Sequence, residues 1–171
     1  MTDSPRFLVL GGGPAGIAAA TNAAALGAKV ILVESSIVGG AAHLWDCIPS
    51  KTMAATAVRI DSLRNAAKLG LVAQAGLVDL EGLARRIQTI SGDITRSWTN
   101  MLESQGVEIL RGFGRLVGPH RVEIETAEGG ETRHFDTALI STGSSPTVPD
   151  WVEADGERIL TTRYAYHLPG V

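Results

Sequence analysis
The sequence has only one cysteine, Cys47, and few aromatic residues, 5% in all. A single cysteine excludes an intramolecular disulfide, and it excludes a metal site built from clustered thiolates. Cations are not concentrated anywhere, and the net charge is −3, which argues against nucleic acid or an anionic membrane as a partner. The chain contains no uninterrupted apolar span of ~20 residues and no charged segment leading into a short apolar one. The expectation is therefore no membrane span, with the cytoplasm as the default compartment. There is no internal repeat, no low-complexity tail and no candidate metal-ligand set. What remains is rich in small residues, with 20 glycines and runs of alanine. That composition suits close packing of helix on sheet. The 171 residues are enough for one ordinary domain with a real core.

The organising stretch is residues 6–34. Arg6-Phe7-Leu8-Val9-Leu10 is a short apolar run. It leads into Gly11-Gly12-Gly13-Pro14-Ala15-Gly16, which sets G-x-G-x-x-G at Gly11, Gly13 and Gly16. An alanine-rich segment follows to Gly27, then Lys29-Val30-Ile31-Leu32-Val33-Glu34. The order is strand, tight turn, helix, buried strand and acid, as in a dinucleotide-binding unit. Gly11 permits the sharp turn, Gly13 allows a pyrophosphate to approach the backbone, and Gly16 lets the helix pack on the strand. Pro14 fits the first helical turn, where its missing N–H costs nothing. The first-turn amides, Ala15 and Gly16 among them, face the phosphates with the positive end of the helix dipole. Glu34 can accept hydrogen bonds from both hydroxyls of an adenosine ribose. NAD and FAD sites share this arrangement, so the stretch alone leaves the choice open.

A second motif is Gly39-Gly40-Ala41-Ala42-His43-Leu44-Trp45-Asp46-Cys47-Ile48-Pro49-Ser50-Lys51. It resembles the signature of the flavoprotein pyridine-nucleotide disulfide oxidoreductases, in which two glycines lead to a cysteine pair and then Ile-Pro-Ser-Lys. Ser141-Thr142-Gly143-Ser144 is similar to that family's Ala-Thr-Gly-Ser strand ending, with serine in place of alanine. The resemblance runs on to Asp155-Gly156-Glu157-Arg158-Ile159-Leu160-Thr161 and covers nearly the whole chain. It implies an α/β fold: a Rossmann-like FAD-binding domain with a parallel sheet, a helical-pair insertion and a small antiparallel hairpin. Its implied cofactor contacts are Gly11, Gly13, Pro14, Ala15, Gly16, Glu34, Gly40, Ala41, Lys51, Gly114, Ser141, Thr142 and Gly143. Gly114 matches the place where the family's backbone meets the adenine. Lys51 matches a lysine beside the reactive edge of the flavin, where a cation stabilises the reduced anionic ring. Cys47 matches the flavin-facing sulfur.

The departures set the chemistry. The first cysteine of the family pair falls at Ala42, so no dithiol relay can form, because that relay needs two sulfurs in bonding reach. The pattern is closest to the dihydrolipoamide-dehydrogenase-like NAD(P)H:quinone reductases that lack the pair. The resemblance then implies electron transfer from NAD(P)H through FAD to a quinone-type small-molecule acceptor, with no thiol catalytic residue. Cys47 is expected as a packed small hydrophobe, His43 as a surface or satisfied side chain and Trp45 as packing. Residues 1–150 are expected to form an incomplete FAD-binding domain, and 151–171 a linker toward a nicotinamide-binding domain. Full-length family members are dimers, and their later segments complete the flavin site. The chain alone is expected to be inactive. The alternative is a non-catalytic nucleotide-binding fragment, or a subunit completed by another chain.

For the remaining elements, helix is expected through Thr52–Lys68 and a connector over 70–78. Asp79 is expected to cap a helix of about 25 residues carrying an apolar stripe at Leu80, Leu83, Ile87, Ile90, Ile94, Trp98 and Met101. Strands are expected at 107–110 and 121–126, with a hairpin turn at Gly129-Gly130 and a return over Thr132–Phe135. A core strand is expected from Asp136, and Pro146, Pro149 and Pro169 mark an extended exit.

Overall fold
A computed structural model describes residues 4–74 and 76–166. Pro169 and residue 75 of the expected connector lie outside the described residues. Among these residues the sheet has six strands, in the order β5-β4-β3-β2-β1-β6. They are β1 (Arg6–Leu10), β2 (Lys29–Glu34), β3 (Glu108–Gly118), β4 (Arg121–Thr126), β5 (Gly129–His134) and β6 (Thr137–Ile140). β1 lies between β2 and β6 and is parallel to both. The first four residues of β3 extend the parallel part beside β2. From Gly112 onward β3 pairs antiparallel with β4, and β4 with β5. The architecture is α/β, a Rossmann-like parallel sheet carrying a small antiparallel meander.

Among the described residues four α-helices accompany the sheet: α1 (Pro14–Ala25), α2 (Ala41–Leu44), α3 (Cys47–Arg64) and α4 (Leu80–Ser104). The alanine-rich segment forms α1 with Pro14 in the first turn, and Gly27 stops it at φ +85°. α1 connects β1 to β2 as a parallel crossover must.

Alternate residues of the central strands feed two cores, one on each face of the sheet. Val9, Val30 and Leu32 pack with Ile17 and Ala20 of α1 and with Leu102 of α4. Leu8, Leu10 and Val33 pack with Val122, Ile124 and Phe135. Each fully buried Leu or Val side chain contributes about 1.5–3 kcal/mol, so these clusters hold the strand ends that carry the glycine loop.

The chain divides into two compact units. One comprises Met1–Ala42 with Ile94–Ser145, and the other His43–Asp93 with Pro146–Val171. The first holds the sheet. In the second, α3 buries only Pro49 and Thr52, and the segment after it is largely exposed.

Several local expectations shift. Helix α3 ends at Arg64, and a 3₁₀ turn over Ala66–Leu69 replaces its expected last turn. At the break, Asn65 donates both its side-chain amide and its backbone N–H to the Asp61 carbonyl, at 2.9 Å and 3.0 Å. Helix α4 has the expected 25 residues, and Asp79 caps it by accepting from the Gly82 N–H at 2.9 Å. Its stripe drifts at the end: Met101 is exposed and Leu102 is fully buried, since the 3.6-residue turn carries the core side from Trp98 to Leu102. The hairpin turns at Ala127-Glu128, not at the glycines, because Thr126 pairs with Gly129. The Thr126 hydroxyl accepts from the Glu128 N–H at 3.2 Å, and Gly129 takes φ +137° to re-enter the strand. β6 is an edge strand among the described residues, with Ile140 exposed.

Candidate functional site
The site forms where the carboxyl ends of β1, β2 and β6 meet the N-terminus of α1. The Gly11 N–H donates to the Val33 carbonyl at 2.9 Å, bending the chain off β1 toward β2. At φ +101° Gly11 occupies backbone space that side chains avoid. A Cβ there would lie 2.3 Å from the Ser141 carbonyl oxygen, and one on Gly16 would lie 1.9 Å from the Gly11 carbonyl oxygen. These two glycines are required by close backbone packing. Gly13 differs: a Cβ there would meet nothing within 4 Å. Its open side adjoins the first turn of α1, whose amides at Ala15 and Gly16 have no acceptor within the helix. Among the described residues no side chain caps this helix.

Glu34 is buried at the end of β2. Its Oε2 accepts from the Gly12 N–H at 2.7 Å and its Oε1 from the Ser36 N–H at 2.6 Å. A carboxylate offers about four acceptor positions, so two remain for ribose hydroxyls. The second glycine pair arrives at the same loop. The Gly39 N–H donates to the Gly12 carbonyl at 2.8 Å, and a Cβ on Gly40 would lie 3.2 Å from the Gly13 Cα. Ser141 closes the third side. Its N–H donates to the Leu10 carbonyl at 2.8 Å, and its hydroxyl lies 2.9 Å from the Gly11 carbonyl oxygen.

The structure thus gathers Gly11, Gly13, Pro14, Ala15, Gly16, Glu34, Gly40 and Ser141 at one place. Ala41 begins α2 directly after Gly40. Thr142 adjoins Gly11, on which a Cβ would sit 3.1 Å from the Thr142 Cα, and Gly143 follows at φ +73°. Gly114 lies within β3, where a Cβ would strike the Leu10 Cδ2 at 2.6 Å. A side chain there would have to displace the end of the Leu10 side chain. Lys51 belongs to the other unit, exposed on α3. Gly12, Ser36 and Gly39 complete the site through backbone amides, which residue types alone do not advertise.

Of two side chains in the second unit, Cys47 differs from expectation, and His43 takes the satisfied alternative expected of it. Cys47 is exposed, not packed, because it stands at the first position of α3, ahead of the buried Pro49. His43 is buried. Trp45 lies under the Arg163 guanidinium, 5.5 Å from ring centroid to Cζ, a packing role. Among the described residues no group of three or more His, Cys, Asp or Glu side chains could hold a metal ion. No helix among them is long and apolar enough to cross a membrane.

The glycine loop, the buried acid and the Gly39-Gly40 segment are joined at the carboxyl edge of the sheet. Comparison with known proteins fixes the lineage. The pattern of the pyridine nucleotide-disulphide oxidoreductases matches residues 5–169. The chain belongs to that family. Family members are FAD-dependent flavoproteins that use NAD(P)H. An NAD(P)H dehydrogenase (quinone) of Mycobacterium tuberculosis is 35% identical, over 95% of this chain and 36% of its own length. A chloroplastic dihydrolipoyl dehydrogenase 2 of Arabidopsis thaliana is 32% identical, over 96% and 29%. The crystal structure of LpdA from Mycobacterium tuberculosis superposes with a TM-score of 0.86 at 34% identity, over 96% of this chain and 37% of that one. The chain therefore spans about a third of the length of these family members.

Proposed function
We propose that the sheet-bearing unit holds the adenosine and pyrophosphate part of FAD. The protein to which it contributes passes electrons from NAD(P)H to a quinone-type small-molecule acceptor without disulfide chemistry. The observation that carries the cofactor reading is the junction of Gly12, Gly39 and Glu34 beside the open face of Gly13. These residues fit the group: a buried carboxylate stands ready for ribose hydroxyls, and uncapped helix amides stand beside open space for phosphate. Gly11, Gly16 and Ser141 shape the loop, and Gly40, Ala41, Thr142 and Gly143 border it. Gly114 and Lys51 are assigned by resemblance, Gly114 to the adenine and Lys51 to the negative charge of the reduced ring. Bound FAD supplies two-electron transfer, which no side chain here can perform.

The acceptor reading rests on Ala42. A dithiol–disulfide relay needs two sulfurs, and the chain carries only Cys47. The quinone dehydrogenase among the relatives supports the same acceptor class. The complete protein is proposed to act as a homodimer in the cytoplasm, with residues 151–171 leading toward a nicotinamide-binding domain. This chain alone is proposed to be inactive, since it spans only a third of its relatives. A spectrophotometric assay of the protein carrying this chain, extended to the family's full length, tests the reading. The expected result is NAD(P)H oxidation with menadione and none with lipoamide. Rapid lipoamide turnover contradicts it.

A further inference from the structure
Strands β2 and β3 run parallel, with Leu32 opposite Ile109 and Glu34 opposite Arg111. Leu32 and Ile109 both pack in the cluster that includes α1, whereas Val33 and Leu110 pack in the other. Strand alternation then puts Glu34 and Arg111 on the α1 face of the sheet, as neighbours at the carboxyl ends of their parallel segments. Arg111 is exposed. Its guanidinium makes one long contact, 3.5 Å to the Ser36 carbonyl, and Ser36 is the residue whose N–H holds the Glu34 Oε1. Glu34 directs its oxygens to two backbone amides, and Arg111 forms no ion pair among the described residues. A planar cation with uncommitted faces therefore stands beside the ribose acid.

The order of groups in a dinucleotide says what lies there. Pyrophosphate at the start of α1 and ribose on Glu34 define a direction from β1 through β2 across the carboxyl edge of the sheet. One strand further in that direction is the end of the parallel part of β3, which is Arg111. We propose that Arg111 recognises the nucleobase, its guanidinium stacking on the face of the adenine. A guanidinium suits this better than an ammonium, because it is flat, delocalised and weakly hydrated. The Ser36 contact steers the side chain toward the ribose end of the site. This assignment rests on the reading of the glycine loop as a dinucleotide site.

The test is titration of the purified chain with ADP and with the base-free probe ribose 5-diphosphate, followed by NMR. Wild type is compared with Arg111→Ala and Arg111→Lys. The expected result is a loss of roughly three- to tenfold in ADP affinity in Arg111→Ala, an unchanged affinity for ribose 5-diphosphate, and little recovery in Arg111→Lys. Equal weakening of both probes, or full recovery by lysine, assigns the residue to phosphate attraction and overturns the proposal. Unchanged ADP binding in Arg111→Ala overturns it while leaving the dinucleotide reading intact. Failure of wild type to bind ADP removes both.

Discussion
The Gly12 N–H donates to the Glu34 Oε2 at 2.7 Å, joining the glycine loop to the end of β2 across 22 residues of sequence. This bond sets the distance between the phosphate end and the ribose end of the site. It also makes Glu34 structural before any ligand arrives. Glu34→Gln keeps the shape but turns an NH2 group toward one of the two backbone donors. Leaving one buried donor unsatisfied costs about 1–3 kcal/mol. Urea denaturation should show that loss, accompanied by weaker ADP binding. An unchanged midpoint would show that the bond carries no weight in the fold.

Two glycines three residues apart should respond oppositely to the same methyl group. Gly16→Ala drives a Cβ into the Gly11 carbonyl oxygen, so the loop or the helix must shift, at about 1–3 kcal/mol or more. Gly13→Ala meets nothing within 4 Å, and its backbone at φ −71° accepts alanine freely. The expected outcome is a lowered melting temperature for Gly16→Ala. Gly13→Ala should keep native stability yet lose ADP affinity, because its methyl occupies the phosphate space. Thermal scans paired with ADP titration read both. Native ADP binding by Gly13→Ala would place the phosphate elsewhere.

A pH dependence follows at the other end of β1. Asp136 accepts from the Arg6 guanidinium and from the Arg6 N–H, and the Arg6 side-chain bond is the main cause holding its carboxyl below the ordinary range. A carboxyl depressed in the folded state adds stability above its unfolded value of about 3.9, and that stability fades as pH falls through the lower folded value. The gain in denaturation midpoint of wild type over Asp136→Asn should therefore be constant above about pH 5 and shrink below about pH 4. Exposure of both partners keeps the effect small. A difference that grows toward acid pH would contradict the assignment.

Much of this is legible in the sequence alone. The order from Arg6 to Glu34 carries a strong pattern at every step, and β1, α1 and β2 form as that pattern implies. The 25-residue helix α4 follows from its spacing and from Asp79. What is not legible depends on partners distant in sequence. Gly129-Gly130 reads as a turn locally, but strand register moves the turn to Ala127-Glu128. α3 stops at Arg64 with no glycine or proline there to mark the stop. Gly114 faces the end of Leu10, a residue of another strand. Arg111 gains meaning only once β3 is paired with β2, because sequence alternation gives a face but not a neighbour. Gly12 sits at a variable position of the glycine motif, and its contribution is a backbone amide that any residue type except proline possesses.

Binding of the adenosine diphosphate part of the cofactor at the glycine loop is tested most directly by NMR titration of the isolated chain with ADP. Saturable shifts are expected for the Gly11, Gly12, Gly13, Ala15 and Gly16 amides and for Ser36 beside Glu34, with the β4–β5 hairpin unmoved. Saturating ADP that leaves those loop amides in place would contradict it.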